Sequence, residues 1–103
     1  MNFKQFNTIF TAALSASDRA TFVSAWRDTE TSADCIGEFW DITHMDFKEI
    51  AAASGRKLTD FAAEYDIPYR TAQNWKNGSR ECPPYTRLLL ARAVLMERLW
   101  SNG

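Results

Sequence analysis

Between Tyr69 and Asn77 the chain carries Tyr69, Arg70, Thr71, Gln73, Asn74 and Asn77, all side chains able to hydrogen-bond to nucleobase edges. An arginine fork matches the two acceptors of guanine, and an Asn or Gln amide matches the donor–acceptor pair of adenine. Each good pair discriminates against the wrong base by about 1–3 kcal/mol. Four basic residues lie near them: Arg56 and Lys57 before, Lys76 within, Arg80 after. Such groups suit phosphates, which fix register without reading sequence. On a helix, Arg70, Gln73, Asn74 and Asn77 cluster on the face away from Ala72 and Trp75, with Tyr69 and Thr71 flanking.

Other chemistries have less to work with. A zinc site would need Cys35, His44, Cys82 and a carboxylate to converge, and no C-x-x-C or H-x-x-x-H spacing brings any two together. Nucleophilic catalysis would need Ser or Cys beside the single histidine, His44, and nothing in the sequence pairs them. With four glycines in the chain there is no Gly-rich phosphate loop. Neither an enzyme nor a cofactor or metal site is expected. Asp34, Glu38 and Asp41 fall on one face of a candidate helix, as an acidic ridge that could bind a basic protein surface.

Charge is distributed unevenly. Residues 1–53 hold eight acids against four bases, a net of −4, and residues 54–103 hold eight bases against five acids, a net of +3. The basic half suits phosphates and the acidic half does not. The chain has 103 residues, 46% of them hydrophobic and 14% aromatic, enough to bury a core without disulfides. No signal peptide or membrane span is evident, and two cysteines fit a reducing compartment, so a cytoplasmic protein is expected.

The elements that must position these residues read as short helices, with no sustained period-two alternation to suggest strands. Phe3, Phe6, Ile9, Phe10, Ala13 and Leu14 form an apolar stripe over about 2–15. Ser17-Asp18 reads as the N-cap of a second helix bearing Phe22 and Trp26. Thr29-Glu30-Thr31-Ser32 is a polar connector. Ser32 or Asp34 then starts a third helix with Ile36, Phe39 and Trp40 inward. Asp46 caps a fourth, Phe47 to Ser54, with Phe47, Ile50 and Ala51 inward and Gly55 as its stop. Without a Gly-, Ser- or Pro-rich linker, the reading is all-α: one compact domain of about six to seven helices. Acidic helices occupy 1–45, and 46–103 hold the remainder.

Leu58 to Trp75 has more order. Thr59 reads as an N-cap, with Asp60 and Glu64 near the positive start of a short helix. Phe61, Ala62 and Tyr65 face inward, and Ala62 is small where two helices cross. Asp66-Ile67 forms the turn, with Ile67 plugging the corner. Pro68 suits the first position of the next helix. Ala72 and Trp75 point inward, and Asn77-Gly78 ends the helix.

This order of caps, small residue, corner and inward Trp resembles the helix-turn-helix of repressor-type proteins. It looks most like the small regulators of bacterial mobile elements and prophages that carry Ile-Pro-Tyr-Arg-Thr-x-x-x-Trp. The resemblance spans about residues 46–90, including Asn77-Gly78-Ser79-Arg80 and Pro83-Pro84-Tyr85. Those proteins usually have Gly in the turn where this chain has Asp66. The resemblance implies a transcriptional regulator binding double-stranded DNA, with residues 68–77 in the major groove. In length, aromatic content and acidic first half the chain is also similar to anti-CRISPR proteins. That alternative implies a type II RNA-guided nuclease as the partner, bound through the acidic or the helix-turn-helix surface.

Pro83-Pro84 introduces a long last helix, roughly Tyr85 to Trp100. Tyr85, Leu88, Leu89, Leu95, Met96 and Leu99 are read as its main apolar stripe, interrupted by Arg92, with Leu90 and Val94 nearly opposite. A helix apolar on two faces is sandwiched between layers or lies at a subunit interface, which makes a homodimer one expectation.

Overall fold

In a computed structural model of the protein, residues 2–27 and 33–100 are described. They form seven α-helices and no strand. These are α1 (Phe3–Ser15), α2 (Arg19–Trp26), α3 (Ala33–Thr43), α4 (Phe47–Ala53), α5 (Leu58–Glu64), α6 (Tyr69–Asn77) and α7 (Pro84–Trp100). The connector Thr29 to Ser32 lies outside the described residues. The chain divides into two compact units, one made of residues 1–44 and 95–103, the other of 45–94. The expected change at residue 45 falls close to the first boundary, but the end of α7 belongs with the N-terminal helices.

In the first unit α3 packs against both α1 and α2. Phe6, Phe10, Phe22, Ile36 and Phe39 are buried, as are Ile9 and Ala13. Burying one such side chain contributes roughly 1.5–3 kcal/mol, so this cluster dominates the unit's stability. Asn2 and Gln5 form a reciprocal capping box that satisfies two of the free amides at the start of α1. Asp18 caps α2, accepting from the Thr21 amide at 2.8 Å. Its side chain also accepts the Thr21 hydroxyl, and these bonds hold the carboxyl below its ordinary value. The Trp40 indole N–H reaches the Ala16 carbonyl just after α1. Buried Thr43 donates back to the carbonyls of its own helix.

The second unit begins on a capping box between Asp46 and Glu49, then buries Phe47, Ile50 and Ala51 along α4. Helix α6 packs against α4 and α5. The Phe47 ring meets Phe61 and Trp75 edge-on, at centroid distances of 5.8 and 5.3 Å. Arg87 on α7 donates to the Met45 carbonyl at 2.8 Å, tying α7 to the chain just before α4.

The last helix corrects the expected stripe. Tyr85 and Leu89 are 71% and 62% exposed, whereas Leu90, Ala91, Val94 and Leu95 are buried. The periodicity offered two apolar faces. In residues 84–94 the face that is buried is the one carrying Leu90, Ala91 and Val94, and packing rather than periodicity decides between the two.

Candidate nucleic-acid interface

The interface is built on the α5–α6 corner. Helix α5 starts at Leu58, not after Thr59: Lys57 is the cap position, without a side-chain cap, and its carbonyl accepts the Phe61 amide at 2.9 Å. Half-buried Leu58 lies on the same face as Phe61 and Ala62, so apolar burial draws the helix start back past Thr59. Phe61 and Ala62 are fully buried, and the Tyr65 ring stacks edge-on to Phe61 at 5.0 Å.

The turn is compact. Tyr65 closes α5, and Asp66 takes a left-handed backbone with φ 55°. The Ile67 amide donates to the Ala62 carbonyl at 2.8 Å and the Asp66 amide to Ala63 at 3.4 Å. That pair of bonds is a Schellman termination, the arrangement that reverses a chain directly after a helix. Asp66 occupies the position usually given to glycine, because a short polar side chain tolerates this conformation better than most. Ile67 is half-buried, a partial plug for the corner rather than a core residue.

Pro68 sits one place earlier than expected. It is the N-cap of α6, with ψ 132°, and its carbonyl accepts the Ala72 amide at 3.0 Å. The expected range 68–77 therefore becomes Tyr69–Asn77. Proline costs nothing at the cap because it has no amide to leave unpaired there. Ala72 is fully buried and Trp75 half-buried against Phe47.

The outward face carries the expected side chains. Arg70, Gln73, Lys76 and Asn77 are exposed, Tyr69 is 44% exposed, and Thr71 and Asn74 are half-buried. Lys57 and Arg80 are exposed and Arg56 is half-buried. The unit of residues 45–94 holds eight bases and six acids, a net of +2, and α6 itself has Arg70 and Lys76 with no acid. Such a surface presents both hydrogen-bonding edges and positive charge to a polyanion.

The end of α6 contains a network that the sequence reading missed. Gly78 adopts φ 82°, and the next residues fold back onto the helix. The Asn77 Oδ1 accepts both the Ser79 amide, at 2.9 Å, and the Ser79 hydroxyl. The Arg80 amide donates to the Asn74 carbonyl at 3.2 Å. Asn-Gly-Ser is a local turn signal, and it could have pointed to this use of Asn77.

The acidic ridge on α3 is differently disposed. Asp41 holds Arg19 at 2.8 Å, and Glu38 holds Arg98 at 2.7 Å. The side chain of Asp34 lies outside the described residues. Two of the three carboxylates therefore come with a guanidinium attached. Gly37, between them, leaves room for the Arg19 guanidinium, which lies where a Cβ would stand.

Among the described residues no group of His, Cys, Asp and Glu is arranged to hold a metal ion. Neither Cys35 nor Cys82 is in a disulfide, both are half-buried, and burial raises the Cys82 thiol above its ordinary range. His44 is exposed, stacked on Trp40 at 4.1 Å, with Nδ1 2.8 Å from the Trp40 carbonyl. No described helix is long and apolar enough to cross a membrane. No protein family matches the sequence, and no curated protein or solved structure matches the chain.

Proposed function

We propose that this protein is a helix-turn-helix DNA-binding regulator whose α6 enters the major groove. The observation that carries the reading is the division of α6 into two faces. Ala72 and Trp75 turn toward the core, and Arg70 and Gln73 stand in water directly after a tight corner. In helix-turn-helix docking, the N-terminal residues of the second helix contact base edges. Tyr69, Arg70 and Gln73 lie toward that end of α6, and Lys57 before the corner and Lys76 and Arg80 at the far end of α6 serve as phosphate contacts. The alternative, in which an acidic ridge imitates phosphates to block an RNA-guided nuclease, has weaker support because Glu38 and Asp41 each already hold an arginine.

The test is selection from duplex DNA with a randomised centre, followed by fluorescence anisotropy on the recovered sequence. One preferred sequence should emerge, and its binding should weaken steeply with salt, as phosphate contacts require. Arg70→Ala should lower discrimination at one position by roughly 1–3 kcal/mol. Recovery of no preferred sequence by the folded protein would exclude this function.

A further inference from the structure

We infer that Asn77 does not read bases but positions the backbone-binding end of α6, so that sequence recognition is confined to Tyr69 through Asn74. This inference rests on the DNA-binding reading and assigns separate jobs to the two ends of one helix.

The chemistry of one oxygen decides it. To read adenine, an asparagine must donate from Nδ2 and accept at Oδ1. The Oδ1 of Asn77 already accepts the Ser79 amide and the Ser79 hydroxyl, which fills both of its lone pairs. The orientation of that amide is fixed by the same bonds, since a backbone N–H can donate only to the oxygen. Pairing with adenine through Asn77 would require breaking the Ser79 bonds that close the turn at Gly78, whose φ is 82°.

Asn74 is in a different position. Its Oδ1 lies 3.4 Å from the Ser79 hydroxyl, a longer contact than the one to Asn77, and a hydroxyl has one proton to give. That proton goes to Asn77, which leaves the Asn74 amide able to bond elsewhere. Gln73 and Asn74 lie three and four residues after Arg70, one helical turn, so the three side chains are neighbours on one face of α6.

What the Asn77–Ser79 bonds do is aim Arg80. They fold residues 78–80 back so that the Arg80 amide meets the Asn74 carbonyl, which places the Arg80 backbone at the C-terminal end of α6, the end that also carries Lys76. Both are exposed cations at the margin of the reading face, where phosphates flank the groove.

The proposal separates affinity from specificity. Binding of the full chain to the selected duplex and to a scrambled duplex of equal length would be measured over a range of salt. Arg70→Ala should reduce the ratio of the two affinities by about tenfold. Asn77→Ala and Ser79→Ala should weaken both duplexes by the same factor and leave the ratio unchanged. Arg80→Gln should do likewise and lower the salt slope by about one. Far-UV circular dichroism would establish that each variant is folded, and Ser79→Ala, an exposed single-hydroxyl deletion, serves if Asn77→Ala is not. A changed ratio in Asn77→Ala or Ser79→Ala, or a selected sequence that differs from wild type at one base pair, overturns the assignment while leaving DNA binding intact. Failure of the wild type to bind either duplex removes the parent reading and this one with it.

Discussion

Replacing Asp66 by glycine tests the corner on which the interface depends. A side chain with a Cβ held at φ 55° pays for its clash with the following carbonyl, roughly 1–2 kcal/mol for most residues and toward the lower end for aspartate. Glycine removes that cost but adds about 0.4–1 kcal/mol of freedom to the unfolded chain. The difference leaves Asp66→Gly more stable by about 0.5 kcal/mol, which for a chain of this size raises the melting temperature by about 2–4 °C. Asp66 is exposed, so the exchange removes no packing. Asp66→Ala should move the other way by about 1 kcal/mol, because alanine keeps the clash and loses the short polar side chain. Thermal and urea unfolding followed by circular dichroism would measure both. If Gly and Ala shift stability in the same direction, the left-handed turn is not the conformation that residue 66 holds in solution.

Two further outcomes follow from neighbouring residues and from the caps. Leu90→Ala should destabilise by about 2–4 kcal/mol and Leu89→Ala by less than about 0.5 kcal/mol, since Leu90 is 6% exposed and Leu89 is 62% exposed; comparable urea midpoints for the two would invert the orientation of α7. The folded pKa of Asp18 is depressed by its bonds to Thr21, so its cap contribution is fully present above the ordinary carboxylate value of 3.8 and is lost as pH falls below it. Asp18→Asn keeps a cap that does not titrate, and its melting temperature should fall less than that of wild type across that acid window.

Local signals made much of this architecture legible. Asp18, Asp46 and Gly78 act within three or four residues of themselves, and their caps and stops stand where the sequence places them. The inward residues of α4, and Phe6, Ile9, Phe10 and Ala13 of α1, follow from spacing, but Phe3 and Leu14, expected on the same α1 stripe, are exposed where the stripe runs past the packed part of the helix. The errors have a common source in partners that are distant along the chain or in competing local geometry. Thr59 is a good cap residue, but Leu58 is drawn into the buried face and the helix begins before it. Tyr85 and Leu89 fit a helical stripe as well as Leu90 and Val94 do, and only tertiary packing decides between them. Glu38 and Asp41 read as a bare ridge because Arg98 and Arg19 lie 60 and 22 residues away. At the interface the identities of Arg70, Gln73 and Asn74 were readable, whereas the commitment of Asn77 to Ser79 depends on the fold of three residues after the helix.

The allocation of residues 95–100 to the N-terminal helices makes the first unit discontinuous along the chain. Phe6 meets the Trp100 ring at a tilt, 5.5 Å between centroids, and Glu38 pairs with Arg98, so the first unit to emerge from the ribosome is the last that can be completed. The second unit, residues 45–94, is an uninterrupted stretch of chain. A nascent chain stalled before Leu95 would lack both the Trp100 ring that meets Phe6 and the guanidinium that Glu38 holds.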